Sequence, residues 1–224
     1  KNSSNIKYLI IHYTGMKNEK NALDRLTNPI SKVSCHYFIK YSGEIVSMVP
    51  DLYIAWHAGK SSWKKTKFLN LYSIGIEISN PGHGNKYTKF KKKQISSLFA
   101  LINKLQKKYY LKNKNILGHS DISPGRKTDP GEKFPWKYLV GKKIGVWHKI
   151  DLKKCIKLRG KYFNIKSKFF FEHLNKLGYS VQSSKKIELK KITNSFQRRF
   201  RPELIDGKVD RECFEIAKSL ILNK

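Results

Sequence analysis

Two histidines and an aspartate in this 224-residue sequence stand where a metal could be held. His12 closes the apolar run that starts at Tyr8, His119 closes the run from Ile116, and Asp129 lies in the loop that follows. Two imidazoles and a carboxylate, with a fourth position open, form the ligand set of a catalytic zinc. Rigid strand ends hold ligands well, and a loop lets the third close on them. A strand-end histidine is also a common hydrogen-bonded structural residue, so spacing alone leaves both readings open. Glu77 adds a second kind of group. Ile74, Ile76 and Ile78 alternate with Gly75, Glu77 and Ser79, which turns Glu77 away from the isoleucine face. It is either a solvated edge-strand charge or a carboxylate set in a cleft, where it could take a proton from a metal-activated water. Lys127, two residues before Asp129, could face a developing oxyanion, although it is one of 40 lysines.

A further cluster, Trp56-His57-Ala58-Gly59, follows a hairpin pattern. Trp56 and His57 read either as the lining of a sugar or peptide groove or as ordinary packing of the indole. His36, inside the hairpin, reads as structural or as a support for the site, and is grouped with them as a candidate substrate-binding residue. His83, His148 and His173 have no supporting context and receive no role.

The elements that must position these groups follow from hydrophobic periodicity. Tyr8 to His12 reads as a buried strand. Residues 36–40 and 44–49 flank Ser42-Gly43 and read as a β-hairpin. Ile95, Leu98, Phe99, Ile102 and Leu105 recur at helical spacing, which predicts an amphipathic helix from Lys91 to about Tyr110. Residues 116–119 read as a short strand, and the three prolines of residues 120–136 as an irregular loop. Strands alternating with a long helix predict an α/β domain, with a mixed central β-sheet flanked by helices, over residues 1–150. Residues 141–165 are lysine-rich with few periodic apolar positions, and 151–165 are expected to be a linker. Three helical patterns then follow: Phe170, Leu174 and Leu177; Ile192, Phe196 and Phe200; and Phe214, Ala217, Leu220 and Ile221. They predict a small three-helix domain over 166–224.

Composition narrows the function classes. The 47 basic against 16 acidic residues give a net charge of +31 and a pI near 10.0. Only seven of the basic residues are Arg. A nucleic-acid reader is expected to use more Arg, whose planar fork grips phosphate and guanine, and the charge is spread rather than blocked, so no nucleic-acid partner is expected. A solvated lysine surface, or attraction to an anionic polymer and its carboxylate-bearing peptides, accounts for the charge. Cys35, Cys155 and Cys213 form no C-x-x-C pair and no disulfide framework. No apolar run approaches the roughly 20 residues of a membrane span. The first residue is Lys1 rather than Met, so the start is expected to be trimmed, with any targeting segment already gone.

In order along the chain, YLIIHY (8–13), SCHYFI (34–39), AWHAG (55–59), SIGIEISN (73–80) and GHSDISPGRKTDPGEKFPW (118–136) resemble the zinc-dependent N-acetylmuramoyl-L-alanine amidases of the type 2 amidase and peptidoglycan-recognition superfamily. The resemblance runs over about residues 6–150 and includes Ile144 to Trp147. Residues 195–202 (SFQRRFRP) with Asp206-Gly207 resemble a three-helix peptidoglycan-binding domain, a pairing found in the AmiD-like branch. The resemblance implies one Zn2+ per chain at His12, His119 and Asp129, Glu77 as catalytic base and Lys127 as transition-state stabiliser. Some members place a catalytic Tyr just before the hairpin histidine; Cys35 stands there, which leaves the base role to Glu77. The implied activity is hydrolysis of the amide between N-acetylmuramic acid and L-Ala of peptidoglycan or muropeptides, 1,6-anhydro forms included. A non-catalytic peptidoglycan sensor is the alternative, against which the retained Glu77 and Lys127 speak. The implied location is the bacterial cell envelope, periplasmic or attached to the outer membrane by an upstream lipid anchor, with the cytoplasm left open.

Overall fold

The structure, a computed structural model, describes residues 3–162, 167–181 and 185–222. Seven strands and eight α-helices are present among them: β1 (Tyr8–Tyr13), α1 (Glu19–Thr27), β2 (Tyr37–Ile39), β3 (Ile45–Ser47), β4 (Ser62–Trp63), β5 (Thr66–Lys67), β6 (Ser73–Ile78), α2 (Lys92–Tyr109), β7 (Ile116–Gly118), α3 (His119–Ile122), α4 (Trp136–Gly141), α5 (Leu152–Leu158), α6 (Ser167–Leu177), α7 (Lys186–Phe200) and α8 (Arg211–Leu222). Five strands form the central sheet in the order β3-β2-β6-β1-β7. The pairs β2–β6, β6–β1 and β1–β7 are parallel, and the hairpin β2–β3 is antiparallel. The expected mixed sheet is therefore present, and β4–β5 adds a small separate ribbon.

Alternation along the central strands decides which helices cover which face. Leu9, Ile11, Ile74, Ile76, Ile78 and Ile116 point to one side and pack against Ile95, Leu98, Leu101, Ile102 and Leu105 of α2. Tyr8, Ile10 and Leu117 point to the other side. They share a core with Phe170, Leu174, Ile192, Phe196, Phe200, Ile216 and Leu220 of the C-terminal helices. These helices match the three sequence patterns, but they do not stand apart as a separate small domain. They close the second face of the sheet, because that face would otherwise leave its apolar row in water.

Residues 151–165 depart from the expected linker. α5 lies within them, its N-terminus capped by the Asp151 side chain, which accepts from the Lys154 amide at 2.8 Å. Cys155 is buried in the second core, and Arg159 donates to both carboxylate oxygens of Glu212 at 2.7 and 2.8 Å. Residues 163–165 fall outside the described residues. Periodicity misses α5 because one of its seven residues is buried, and misses α1 because Ala22 alone is buried there. All three cysteines are free and buried, in line with the absence of a disulfide framework.

The SFQRRFRP segment explains the helical unit's architecture. Phe196, Gln197, Arg199, Phe200 and Arg201 are all buried. The Gln197 amide donates to Asp206 Oδ1 and the Lys208 carbonyl, while its carbonyl accepts from the amides of Asp206 and Gly207. Arg201 donates to Asp210 and Asp206 at 2.7 and 3.1 Å. The motif is thus a device for locking the α7–α8 turn. Among the described residues no helix is long and apolar enough to cross a membrane.

Candidate active site

Register builds the site. On the parallel pair β1–β6, His12 lies beside Glu77, Ile10 beside Gly75 and Tyr8 beside Ser73. The side chains of Ser73 and Glu77 therefore project on the face opposite the isoleucines, next to His12. β7 pairs with the other edge of β1 and ends at Gly118, so His119 opens α3 one residue past the strand. The Ser120 amide donates to the Asp129 carbonyl at 2.8 Å, which folds the following loop back and returns Asp129 to the two histidines.

Three atoms converge there. His12 Nδ1 and His119 Nδ1 are 2.9 Å apart, and each lies 3.0 Å from Asp129 Oδ2. All three residues are at least nine-tenths buried. A tetrahedral ion with bonds of about 2.05 Å has ligand–ligand edges of about 3.3 Å, so this triangle needs only slight expansion to accept one.

The remaining ring nitrogens assign the tautomers. Ser73 spends its one hydroxyl proton on the Leu69 carbonyl at 2.6 Å, so it accepts from His57 Nε2–H at 3.2 Å. His57 Nδ1 is then a lone pair and accepts from His12 Nε2–H at 3.0 Å. His119 Nε2 lies 3.1 Å from the Ala58 carbonyl, which can only accept, and 3.3 Å from Arg126 Nη2, whose protons are taken by closer oxygens of Ala58, Lys60 and Ser123, so Nε2–H donates to Ala58. Both Nδ1 lone pairs therefore face Asp129 Oδ2, leaving three acceptors aimed at one point. That is the donor set of a divalent cation with outer partners already in place. The residues fit a metal on this ground.

Electrostatics agree. Burial and the neighbouring His119 lower His12 to about 4, so its imidazole is neutral and able to ligate near pH 7. Burial works to raise the Asp129 carboxyl, but positive charge at the neighbouring His119, standing where a cation's would sit, outweighs it and holds Asp129 well below the usual range. Glu77 behaves oppositely. It is partly exposed as a whole, yet Oε2 is sealed from solvent and has no hydrogen-bond partner. Burial, and then the charge of Asp129, push its carboxyl up to about 8, against the pull of Lys127. Lys127 lines the same cleft of about 370 Å³, which Tyr13, Arg25, Trp56 and Arg126 also line.

The five residues His12, Glu77, His119, Lys127 and Asp129 are thus brought together. The three grouped as substrate contacts separate. Trp56 is 60% exposed on the cleft rim, a place suited to ligand contact. His57 lines the cleft too, but both its ring nitrogens are engaged, by His12 and Ser73. His36 is wholly buried: its Nδ1 accepts from the Gly75 amide at 3.0 Å, and its Nε2 bonds the Tyr53 carbonyl at 3.1 Å. It braces the edge of β6 and does not reach the cleft. Hydrogen bonding drew His36 inward and engaged both nitrogens of His57, which spacing could not reveal.

Sequence reasoning did not assign roles to Ser73, Gly75, Asn70 or Arg126. A Cβ on Gly75 would lie 2.3 Å from the His57 ring, so only glycine leaves room for that imidazole. The small-residue row Ser73, Gly75 was the available signal. Asn70 Oδ1 accepts from the amides of His57 and Ala58 at 3.2 and 2.7 Å. Arg126 donates to the carbonyls of Ala58 and Lys60 at 2.7 and 2.9 Å, tying the 57–60 loop to the ligand loop.

The N-acetylmuramoyl-L-alanine amidase family model matches residues 2–132. The chain is 35% identical to the N-acetylmuramoyl-L-alanine amidase AmiD of Escherichia coli, over 96% of this chain and 82% of that protein. It is 41% identical to the 1,6-anhydro-N-acetylmuramyl-L-alanine amidase AmpD of Citrobacter freundii, over 47% of this chain and 54% of that one. The solved complex of E. coli AmiD with anhydro-N-acetylmuramic acid-L-Ala-D-gamma-Glu-L-Lys superposes with a TM-score of 0.88 at 33% identity, covering 98% of this chain and 90% of that one. AmpDh3 of Pseudomonas aeruginosa with an anhydromuramic pentapeptide gives 0.86 at 30%, covering 98% and 92%. With a sheet, a ligand triangle and a sequence match that coincide, this chain belongs to the N-acetylmuramoyl-L-alanine amidase family, in its AmiD-like branch.

Proposed function

We propose that the chain is a zinc-dependent hydrolase of the amide between the lactyl carbonyl of N-acetylmuramic acid and L-Ala, acting in cell-wall turnover. One observation carries the reading: three converging lone pairs on His12, His119 and Asp129, beside the unpartnered carboxylate oxygen of Glu77. Zinc held by those three residues would supply Lewis acidity and an acidified water. Glu77 is the base placed to take the proton from the attacking water. It then returns that proton to the departing nitrogen of L-Ala. The Lys127 ammonium faces the charge that develops on the carbonyl oxygen. His57 and Ser73 keep His12 in the ligating tautomer throughout. Arg25, Arg126 and Lys127 make the cleft cationic, which suits a stem peptide bearing carboxylates.

The solved relatives hold anhydromuramoyl peptides, so 1,6-anhydro muropeptides belong to the substrate class together with cell-wall peptidoglycan. The helical unit is a candidate wall-binding element. Its motif residues are buried, so contact with glycan would use the outward faces of α6–α8. The cell envelope, periplasmic or outer-membrane-associated, is the location that suits a wall substrate.

Digestion of purified sacculi and of a soluble anhydromuropeptide, followed by mass spectrometry, tests the reading. Free peptides beginning with L-Ala, lost on chelation and restored by zinc, are expected. Intact muropeptides from folded, zinc-loaded protein would leave a binding module instead.

A further inference from the structure

We propose that Arg199 and Tyr179, both in the C-terminal helical unit, are positioning residues for the metal site, acting through Asp121 on the turn that carries His119, 80 and 60 residues earlier in the chain. The inference rests on reading His12, His119 and Asp129 as metal ligands. Ile116 and Asp121 straddle His119. Arg199 holds both: Nη1 pairs with Asp121 Oδ2, and Nη2 donates to the Ile116 carbonyl at 3.1 Å. Tyr179 donates its hydroxyl to Asp121 Oδ1 at 2.7 Å. Asp121 Oδ2 also accepts from the Gly118 amide at 2.8 Å, closing the turn that carries His119. Arg199, Tyr179 and Asp121 are respectively 3%, 1% and 0% exposed. The guanidinium lies 4.2 Å from the Trp136 ring centroid and 5.0 Å from that of Phe200, so its plane is fixed as well.

The geometry does more than glue two layers. A plain interlayer contact would need one bond to one element. Here a rigid fork spans the first residue of β7 and α3, the helix that His119 opens, and every acceptor of Asp121 used is buried. The Ser120 amide, inside the same clamp, holds the Asp129 backbone. Two of the three ligands therefore depend on a segment whose orientation is set from α7 and from Tyr179. A neighbouring residue on α7 reaches the far arm of the ligand loop: Arg198 Nε lies 3.5 Å from Glu132 Oε2. Glu132 in turn bonds His83, and His83 bonds Tyr13, the residue after His12. The helical unit thus grips the ligand loop at both ends, and its loss would loosen the metal rather than only the wall.

The test compares zinc affinity of the full chain by competition with a chromogenic chelator, and the visible spectrum of the Co2+ form as a reporter of ligand geometry. The variants are Arg199→Lys, which keeps charge but cannot span Asp121 and Ile116 together, and Tyr179→Phe, which removes one hydroxyl. Ile216→Ala, in the same helical core away from the clamp, controls for general destabilisation. The expected result is affinity about 10- to 100-fold weaker for Arg199→Lys and a smaller loss for Tyr179→Phe, with an altered Co2+ spectrum. Ile216→Ala should lower the melting temperature yet bind zinc as the unaltered protein does. Tyr179→Phe folds with its ring packing intact, so the proposal stays testable where Arg199→Lys fails to fold. Folded clamp variants with unaltered zinc affinity, or an equal loss in Ile216→Ala, would overturn the proposal. An unaltered chain that binds no zinc would overturn the metal reading and this inference with it, an outcome distinct from the first.

Discussion

Glu77→Gln should make the metal-free protein more stable while removing its activity. The carboxyl rises from 4.5 to about 8 on folding because burial, and then Asp129, oppose its charge. Between those pH values the native state holds a proton that the unfolded chain has released. Stability therefore falls as pH rises through that window. Linkage puts the full cost at about 5 kcal/mol above pH 8 and about 3 kcal/mol at pH 7. The side chain is partly open to the cleft, and water offsets part of this, so a gain of about 2 kcal/mol for the Gln variant at pH 7 is the working figure. Urea unfolding of chelator-treated protein at pH 5, 7 and 8.5 measures it. The unaltered protein should lose ground to the variant as pH rises, with near parity at pH 5. His12, lowered to about 4, adds stability as pH rises from 4 to 6.5, but it does so in both proteins and cancels in the difference. Added zinc should shrink the gap, because a nearby cation favours the carboxylate. In the zinc-loaded variant kcat should fall by about 10²- to 10⁴-fold. Parallel pH profiles would refute the claim that Glu77 is desolvated; near-normal turnover would refute its role as base.

Three further outcomes follow from the same geometry. Gly75→Ala drives a methyl into the His57 ring, and should cost about 1–3 kcal/mol in thermal unfolding and weaken zinc retention. Trp56→Ala, at a residue 60% exposed, should leave stability within about 0.5 kcal/mol while raising KM about 5- to 10-fold at nearly constant kcat; a fall in kcat alone would count against a binding role. Arg201→Met strands the buried Asp210 carboxylate and should cost about 3–5 kcal/mol by denaturant titration, with the melting of α7–α8 seen by circular dichroism.

Local signals in the sequence were sufficient for β1, β2–β3, β6 and β7 and for α2, α6, α7 and α8. Each but β3 buries an apolar face whose period is written in neighbouring residues; β3, largely exposed, is marked by the Ser42-Gly43 turn before it. Local signals failed at α1 and α5, whose faces bury one residue each, and at the short elements β4, β5, α3 and α4, too brief to show a period, two of which fall in or beside the stretch read as an irregular loop. The two candidate histidine ligands were nominated by residue type at strand ends, Asp129 by its place in the loop after the second, and Glu77 by its place opposite the isoleucines. Those are properties of single strands, and the chain carries them before it folds. The resemblance to the amidase family rested on the same short segments.

Other decisions needed the tertiary structure. His12 and His119 are 107 residues apart, and which nitrogen of each ring bears the lone pair depends on His57, Ser73 and the Ala58 carbonyl, brought in by separate loops. The same inward hydrogen bonds withdrew His36 from the cleft and engaged both ring nitrogens of His57 at its wall. The C-terminal helices became the second cover of the sheet because Tyr8, Ile10 and Leu117 offer an apolar row that only a distant segment can bury. Sequence determines what each strand or helix can offer; which lone pairs and which faces meet is decided by contacts between segments far apart in the chain, and periodicity carries no record of those.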